Sequence, residues 1–527
     1  MTFQTSPGIA VREIDLTGVV PAVSTSTAAV GGVFAWGPVN TPILVSTETD
    51  LIRRFGKPIT DFNVETFYTA SNFLSYSNAI FVSRANTGVT AAPVGGSAAA
   101  QAGFVARYPG AYGNSLRILA ATASTFATAN TILQNSVDFA PAAGEVHVVV
   151  VDATGVFTGA NNTVLEVFSN LSLTAGAVTP NGTNNFWGDV IQDRSNYITM
   201  TTANSSPLSV AVDATLQAGT NGATENAITV GLLQASYEPF RNPLEFDISF
   251  LLQGVARGAN GTEMANWLIA MAEERGDCMV FISPERADVL SGNNTNVSAR
   301  ADIIGFANNV TSSSYAVIDT GYKYRYDRYN DRYIFVPLNG DIAGLCAATD
   351  ESRDPWFSPA GYNRGFIKNV IRLAYNPGKT DRDELYKNSV NPVITETGQG
   401  TLLFGDKTAL KRPSAFDRIN VRRLMIVLRK AISRAARSTL FEFNDEFTRA
   451  QFKNTVEPFL RDIQGRRGLT DFRVQCDSTN NTPEVIDTNR FIADIYIKPS
   501  RTISYITLNF IATRTGAEFT EITGTSR

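Results

Sequence analysis

One histidine, His147, is present in 527 residues, and the three cysteines, Cys278, Cys346 and Cys476, stand far apart. A zinc site built on Cys-x-x-Cys or paired histidines is therefore excluded, and a Ser-His-Asp triad has only His147 to draw on. His147 lies inside the apolar run Val146–Val151, the setting of a strand histidine satisfied by its neighbours. Scattered cysteines in odd number do not make the disulfide framework of a secreted domain, and they fit assembly in a reducing compartment. No run of 18 apolar residues occurs, so no membrane-spanning helix is expected. Met1 to Val11 lacks the basic start and apolar stretch of a signal peptide. No Walker-type phosphate loop is found, and Gly398-Gln-Gly400 lacks a third glycine. Carboxylate pairs such as Glu273-Glu274 fall on a solvated helix end. Neither a cofactor nor a metal nor an enzyme is expected from this inventory.

Charge is also scarce, 18% of residues where about 25% is usual. No lysine lies between Lys57 and Lys323, and residues 91–230 hold three basic and eight acidic side chains. Residues 401–527 hold 21 basic against 14 acidic, whereas residues 1–400 hold 24 against 35. What is plentiful is apolar: 43% hydrophobic residues, with 32 Phe and 40 Gly. Such a chain folds rather than staying disordered. At about 150 residues per domain, the length suggests about three or four domains.

Residues 1–22 read as an extended arm. Pro7-Gly8 breaks the chain, and Ile9 to Leu16 is β-prone but too short to stand as a sheet. Residues 23–92 and 216–377 read as two parts of one α/β middle domain. Its strand candidates are Val30–Trp36, Ala79–Ser83, Asp247–Leu252, Met279–Ser283 and Tyr315–Ile318. Between them, Phe67, Ala70, Phe73 and Leu74, and then Met264, Trp267, Leu268 and Met271, recur at helical spacing. That alternation predicts parallel strands with crossover helices. Residues 93–215 are rich in Ala, Thr, Asn and Gly. Short strands at Leu116–Ala120, Glu145–Val151, Val164–Phe168 and Tyr197–Thr201 predict an inserted β-sandwich. The expected class is thus a multidomain α/β and α+β chain.

Residues 378–511 read as an α+β core. Ser414-Ala-Phe-Asp417 fits a capping box ahead of a helix with Val421, Leu424, Met425, Leu428, Ile432 and Ala435 on one face. Seven basic residues and no acid lie between 418 and 437. A second helix follows Asn444, with a stripe of Phe452, Val456, Phe459, Leu460 and Ile463. Strands come next: Phe491, Ala493, Ile495 and Ile497 alternate with polar residues, and Ile506, Leu508 and Phe510 share a face. Within 512–527, Phe519 to Ile522 is again too short to stand alone. Both ends therefore carry strands that need partners, templates for addition to another chain. The basic helix has three readings: a nucleic-acid contact, a solvated face, or a dock for an acidic protein. The Tyr/Arg run Tyr322–Tyr333 reads as a β-hairpin turning at Asp327–Asp331, with base stacking as the alternative.

Several ordered runs resemble contractile phage tail sheath proteins, most of all those of T4-like phages. They are Ser6-Pro-Gly-Ile-Ala-Val-Arg-Glu13, Tyr108-Pro-Gly-Ala-Tyr-Gly-Asn114, Tyr333-Ile-Phe-Val-Pro-Leu-Asn-Gly-Asp-Ile-Ala-Gly344, Pro355-Trp-Phe-Ser-Pro-Ala-Gly-Tyr-Asn-Arg-Gly365, Ser414-Ala-Phe-Asp-Arg-Ile-Asn-Val-Arg-Arg423, Phe441-Glu-Phe-Asn-Asp445 and Ile495-Tyr-Ile-Lys-Pro499. The resemblance implies a C-terminal core against a tail tube, with the α/β domain and the inserted sandwich progressively outward. It implies that the arms 1–22 and 512–527, through Ile9, Val11, Ile14, Leu16, Phe519 and Ile522, add to core sheets of neighbouring subunits. Phe491, Ile495, Ile497, Ile506, Leu508 and Phe510 would receive them. Tube-facing candidates are Arg449, Lys453, Arg461, Arg466 and Arg467, ahead of Arg422 and Arg429.

The implied role is a structural protein that polymerises in hexameric rings stacked as a helix. Contraction drives the tube through a bacterial envelope for genome delivery. The implied partners are other copies of the chain, the tail tube protein, and baseplate and tail terminator proteins, with no direct nucleic acid and no membrane insertion. The implied location is the virion tail, after assembly in the host cytoplasm. The sheath of a phage-derived, tailocin-type injection particle is the near alternative, and a nucleic-acid-binding protein the distant one.

Overall fold

The computed structural model describes residues 25–92, 98–201, 210–255 and 260–503. The expected arm residues Ile9, Val11, Ile14, Leu16, Phe519 and Ile522 lie outside these, as do Ile506, Leu508 and Phe510.

Short apolar runs buried on both faces make parallel strands covered by helices, and this chain has six of them. Across the sheet the order is Val390–Asn391, Ala316–Asp319, Met279–Ile282, Phe250–Leu252, Ala28–Val33, Ile80–Ala85 and Ile43–Val45. All neighbours are parallel except the last, where Ile43–Val45 runs antiparallel to Ile80–Ala85. Side chains alternate between two cores with a period of two. Ala28, Val30, Phe250, Leu252 and Phe281 join one, with Phe67 and Phe73 of helix Val64–Leu74 and Ile342 and Leu345 of helix Asn339–Ser352. Ala29, Leu251, Val280 and Ile282 join the other, with residues of helices Val230–Tyr237, Asn260–Arg275 and Ala299–Asn309. The parallel α/β expectation is met. The sheet also takes in Val390–Asn391, beyond the boundary expected at 377.

Two glycines of helix Asn339–Ser352, Gly340 and Gly344, lie against helix Val64–Leu74 and the turn that follows it. A Cβ on Gly340 would lie 2.4 Å from the Thr69 carbonyl oxygen, and one on Gly344 would lie 2.4 Å from the Tyr76 ring.

The insertion leaves after Ala85 and returns beside its own departure, since Val89 and Ala92 bridge to Thr220 and Gln217. It carries an antiparallel sheet ordered Thr163–Ser172, Glu145–Asp152, Leu116–Thr122, Val212–Thr215. One face is covered by the strand pair Phe104–Ala106 and Ile198–Met200 together with helix Trp187–Arg194. Leu133 of helix Thr131–Ser136 packs on the other face. The expected sandwich thus has one four-stranded layer facing a two-stranded one completed by a helix. Helices Ile419–Ala436 and Glu446–Gly465 and the antiparallel pair Leu469–Gln475 and Asp494–Pro499 form the C-terminal unit around its own cluster.

A polar knot lies at the carboxyl ends of the central strands. Ser283 donates to the Asp319 carboxylate at 2.8 Å, and the Gly321 N–H donates to it at 2.7 Å. Burial pushes the Asp319 carboxyl up to about 8, against roughly 3.9 in an unfolded chain. With the folded pKa above the unfolded one, Asp319 adds stability that is fully present below about pH 4 and is lost as pH rises through about 8. Urea denaturation across this range should show stability falling with pH in the wild type and a flatter dependence in Asp319→Asn. Equal slopes in the two proteins would contradict the assignment.

Candidate assembly interface

The basic helix Ile419–Ala436 is not a solvated face. Arg423 is 4% exposed and both its ion-pair partner Asp350 and the Cys346 carbonyl lie within the chain. Lys430 donates to Asp247 at 2.8 Å and to the Ile248 carbonyl at 2.8 Å, and Arg434 pairs with the same Asp247. Arg422 stacks between Tyr315 and Phe416 at 4.3 and 4.4 Å. Arg429 reaches the Gly276 carbonyl at 3.4 Å. Arg422 and Arg429, read from sequence as tube-facing, are thus engaged by the α/β domain and its flanks. The helix also begins later than the capping box implied. Thr408 N–H donates to the Asp417 carbonyl and Ile419 N–H to the Asp406 carbonyl. Asp417 closes a turn on the Ser414 carbonyl, Arg418 is extended and bridges to Lys407, and the helix starts at Ile419 without a side-chain cap.

Helix Glu446–Gly465 does start where expected, with Asp445 accepting from Thr448 N–H at 2.7 Å. Phe452, Val456, Leu460 and Ile463 turn inward. Phe491 meets Phe452 edge-to-face at 5.4 Å, and Ile495 and Ile497 lie in the strand Asp494–Pro499 against the same cluster. Of the basic candidates, Arg461 and Arg467 are exposed and Lys453 is half-exposed, 3.6 Å from Glu457. Arg449 donates to Asn444, while Arg466 pairs with Asp354 and stacks 5.2 Å over Trp356. Lys453, Glu457 and Arg461 from the helix and Asp471 and Arg473 from the strand Leu469–Gln475 line an open groove of about 390 Å³.

The Tyr/Arg segment is the expected hairpin, Tyr322–Asp327 pairing with Arg332–Pro337. Lys323 and Arg325 face inward, whereas Arg328 at the turn is exposed and lies 3.2 Å from Glu48. Lys323 and Asp341 form a fully buried pair at 2.8 Å, and Arg325 stacks 4.1 Å over Tyr68. His147 is satisfied in its strand. Nδ1 accepts from Asn170 N–H at 3.0 Å, which leaves the proton on Nε2 to donate to the Phe139 carbonyl at 2.9 Å. All three cysteines are free and buried, and burial pushes the Cys278 and Cys346 thiols up to about 12.

Open α/β sheets bind ligands at the carboxyl ends of strands where the strand order reverses. Here that point lies between Ala28–Val33 and Phe250–Leu252. Gly31 and Gly32 open the crevice, and Tyr237, Ser236 and Thr66 fill it. A Cβ on Gly31 would meet Ser236 Oγ at 2.4 Å, and one on Gly32 would meet Thr66 at 2.6 Å. The cavity that remains is about 10 Å³. At the N-terminus of helix Val64–Leu74, where an anion would bind, Glu225 already accepts from the N–H groups of Glu65 and Thr66 at 3.2 and 3.0 Å.

Three acids that organise the molecule, Asp247, Asp350 and Glu225, were not found by sequence reasoning. Each meets its partner from 73 or more residues away. One signal was available: a helix with bases on all sides, an apolar stripe and no acid needs counter-charges from elsewhere.

Comparison with known proteins matches three family models along the chain. The phage tail sheath protein central domain covers residues 255–409, and the phage tail sheath C-terminal domain covers 411–513. The N-terminal region of tail sheath protein Gp18 domain III covers 25–85. A tail sheath protein of Vibrio phage KVP40 is 32% identical over 98% of this chain and 99% of its own. That alignment runs over 670 positions, more than the 527 residues here, so the relative carries inserted segments. The tail sheath protein of Enterobacteria phage T4 is 43% identical over 58% of this chain and 48% of its own. Among solved structures, a sheath tail protein from Listeria innocua has the same fold, with a TM-score of 0.57 and 13% identity over 91% of this chain and 96% of that one.

Breaking a buried ion pair by removing one partner costs about 3–5 kcal/mol, whereas replacing both by apolar residues is often neutral. Asp350→Ala should therefore lower stability by that amount in urea denaturation, and Arg423→Met combined with Asp350→Leu should recover most of it. A double variant no more stable than the single one would show that the pair is not what holds this helix in place.

Proposed function

Since the chain belongs to the contractile phage tail sheath family, its role is that of a structural protein of a contractile sheath, and we propose how its parts divide that work. The observation that carries the reading is the sheet of Leu469–Gln475 and Asp494–Pro499. Among the described residues neither of its outer edges has a strand partner. An open edge is a template for strand addition. The arms 1–22 and 512–527 of neighbouring subunits fill those edges, through Ile9, Val11, Ile14, Leu16, Phe519 and Ile522. Ile506, Leu508 and Phe510 extend the receiving sheet. About four to six backbone bonds per added strand, each worth about 0.5–1.5 kcal/mol, hold subunits together while they rotate as rigid bodies. The linker, not the pairing, is the hinge.

The C-terminal unit lies inward on the tube, the α/β domain outside it and the insertion outermost. Arg461, Arg467 and Lys453 are the bases best placed to meet an acidic tube, Arg422 and Arg429 being engaged within the chain. Rim pairs worth about 0–1 kcal/mol each orient the sheath yet release the tube when it contracts. Copies of the chain stack as hexameric rings between baseplate and terminator, and contraction drives the tube through the bacterial envelope. The work is mechanical, its energy stored at assembly in the host cytoplasm, and the assembled protein resides in the virion tail.

Deleting residues 1–20 or 513–527 should leave a folded monomer that no longer forms tubes by electron microscopy. Normal tubes from both truncations would refute strand exchange. Arg461→Glu with Arg467→Glu should reduce co-sedimentation of sheath with tube while isolated sheath still polymerises. Undiminished co-sedimentation would move the tube contact elsewhere.

A further inference from the structure

The second face of the Tyr/Arg hairpin has no part in the division of work set out above. Alternation along Tyr322–Asp327 turns Lys323 and Arg325 to one side and Tyr324 and Tyr326 to the other, where they oppose Phe335 and Tyr333. The Tyr333 ring centroid lies 5.2 Å from that of Tyr326, tilted by 55°, and 5.6 Å from that of Tyr324, nearly parallel at 19°. Tyr326 is 44% exposed and Tyr333 56%, so a solute reaches both.

The two neighbours of Tyr333 differ in their surroundings. The Arg372 guanidinium lies 4.7 Å over the Tyr324 ring, and a cation there opposes loss of an electron from that ring. Tyr326 instead donates its hydroxyl to Asp331 Oδ1 at 2.5 Å. A phenol that loses an electron becomes a strong acid, and a carboxylate within hydrogen-bond reach takes the proton. The sulfur groups that compete for an oxidant are largely withdrawn. All three thiols are buried, as are Met264, Met271 and Met279.

We propose that Tyr326 and Tyr333 form an oxidative modification site, at which a one-electron oxidant joins the two side chains as dityrosine. Each phenol gives one electron to the oxidant and loses one proton, that of Tyr326 passing to Asp331 and that of Tyr333 to water. The two phenoxyl radicals then couple through the ring carbons ortho to their oxygens. The hydrogens on those carbons move to the oxygens as the rings regain aromaticity, so the product is two hydrogens lighter than the pair. The new bond closes residues 326–333 into a ring across the turn. That turn already fastens the hairpin to the start of the central domain, Tyr329 donating to Glu48 at 2.7 Å and Asn330 to the Pro58 carbonyl at 3.1 Å. Tyr362 supplies a comparison within the chain. It is exposed and donates to Glu396 at 2.7 Å, but the ring beside it is Phe404 at 6.4 Å, which has no phenol to oxidise.

Illumination of the dilute full-length chain with tris(bipyridine)ruthenium(II) and persulfate tests this. Trypsin cuts after Arg328 and Arg332, so mass spectrometry reads the product as the peptide starting at Tyr326 linked to the one starting at Tyr333. This pair should be the main dityrosine within one chain, forming at a rate that does not vary with protein concentration, as proximity requires. Asp331 has a φ of 48°, which asparagine also tolerates, so Asp331→Asn should keep the turn while slowing the cross-link by roughly tenfold. Tyr333→Phe should abolish it. Cross-links found only between chains, a Tyr324–Tyr333 product in excess, or oxidation of Tyr362 with no linked pair at the hairpin would each overturn the proposal.

Discussion

The structure depends on how one basic helix is neutralised. Ile419–Ala436 belongs in sequence to the C-terminal unit, yet its cations are held by Asp350 at the end of helix Asn339–Ser352 and by Asp247 ahead of the strand Phe250–Leu252. Arg423 and Asp350 are each 4% exposed, so separating them would leave charges in a medium that cannot solvate them. The opposite side of the helix, Leu424 and Leu428, packs with Val456 and Leu460 of the C-terminal cluster. One helix therefore belongs to two cores. The C-terminal cluster and the α/β domain are thus joined through the side chains of a single helix.

The insertion is fixed by a different device. Its two connecting segments lie side by side as an antiparallel ladder, and Glu225, just beyond the return, caps the helix Val64–Leu74 of the central domain. Arg84, the penultimate residue of the central strand before departure, is buried and donates to three carbonyls, those of Phe34, Ala35 and Gly37. Burial pulls its guanidinium down to about 9. The crevice in which α/β proteins of other kinds hold a ligand is thus used to seat the root of an appended domain. Gly31 and Gly32 fit this use as well as they would a phosphate, because small residues permit close approach whatever approaches.

The parallel sheet, its crossover helices, the insertion and the Tyr/Arg hairpin were legible because each rests on local periodicity. Strands such as Met279–Ile282 and Glu145–Asp152 fall within a residue or two of their expected positions, since a buried apolar run has few other fates. The start of the basic helix was not legible. Ser414-Ala-Phe-Asp417 has the composition of a cap, but it folds as a separate turn, and pairing of Asp417 and Arg418 with the 406–408 segment delays the helix to Ile419, a tertiary effect that overrides a local preference. The fate of the bases was illegible for a related reason. A pattern on one helix says that charge is present, and only the contact partner, 73 residues away for Arg423 and 183 for Lys430, says whether that charge reaches solvent.

That distinction changes the meaning of the charge asymmetry. A count of 21 bases against 14 acids over residues 401–527 suggests a strongly positive inner surface. Yet Arg418, Arg423, Lys430 and Arg434 are paired with acids, most of them outside the segment. Arg422 is sandwiched by rings, and Lys407 and Lys411 donate to backbone carbonyls. Three acids outside the segment, Asp247, Asp350 and Asp354, thus take up four of its bases, Arg423, Lys430, Arg434 and Arg466. Among the described residues the exposed bases of the segment include Arg412 and Arg437 ahead of helix Glu446–Gly465, and Arg461, Arg466 and Arg467 on and after it, interleaved with Glu457 and Asp462. A mixed surface of that kind gives orientation and reversibility rather than strength, which suits a contact that must be released. In the reading proposed above, lasting cohesion comes instead from backbone pairing at the edges of the C-terminal sheet that have no strand partner among the described residues.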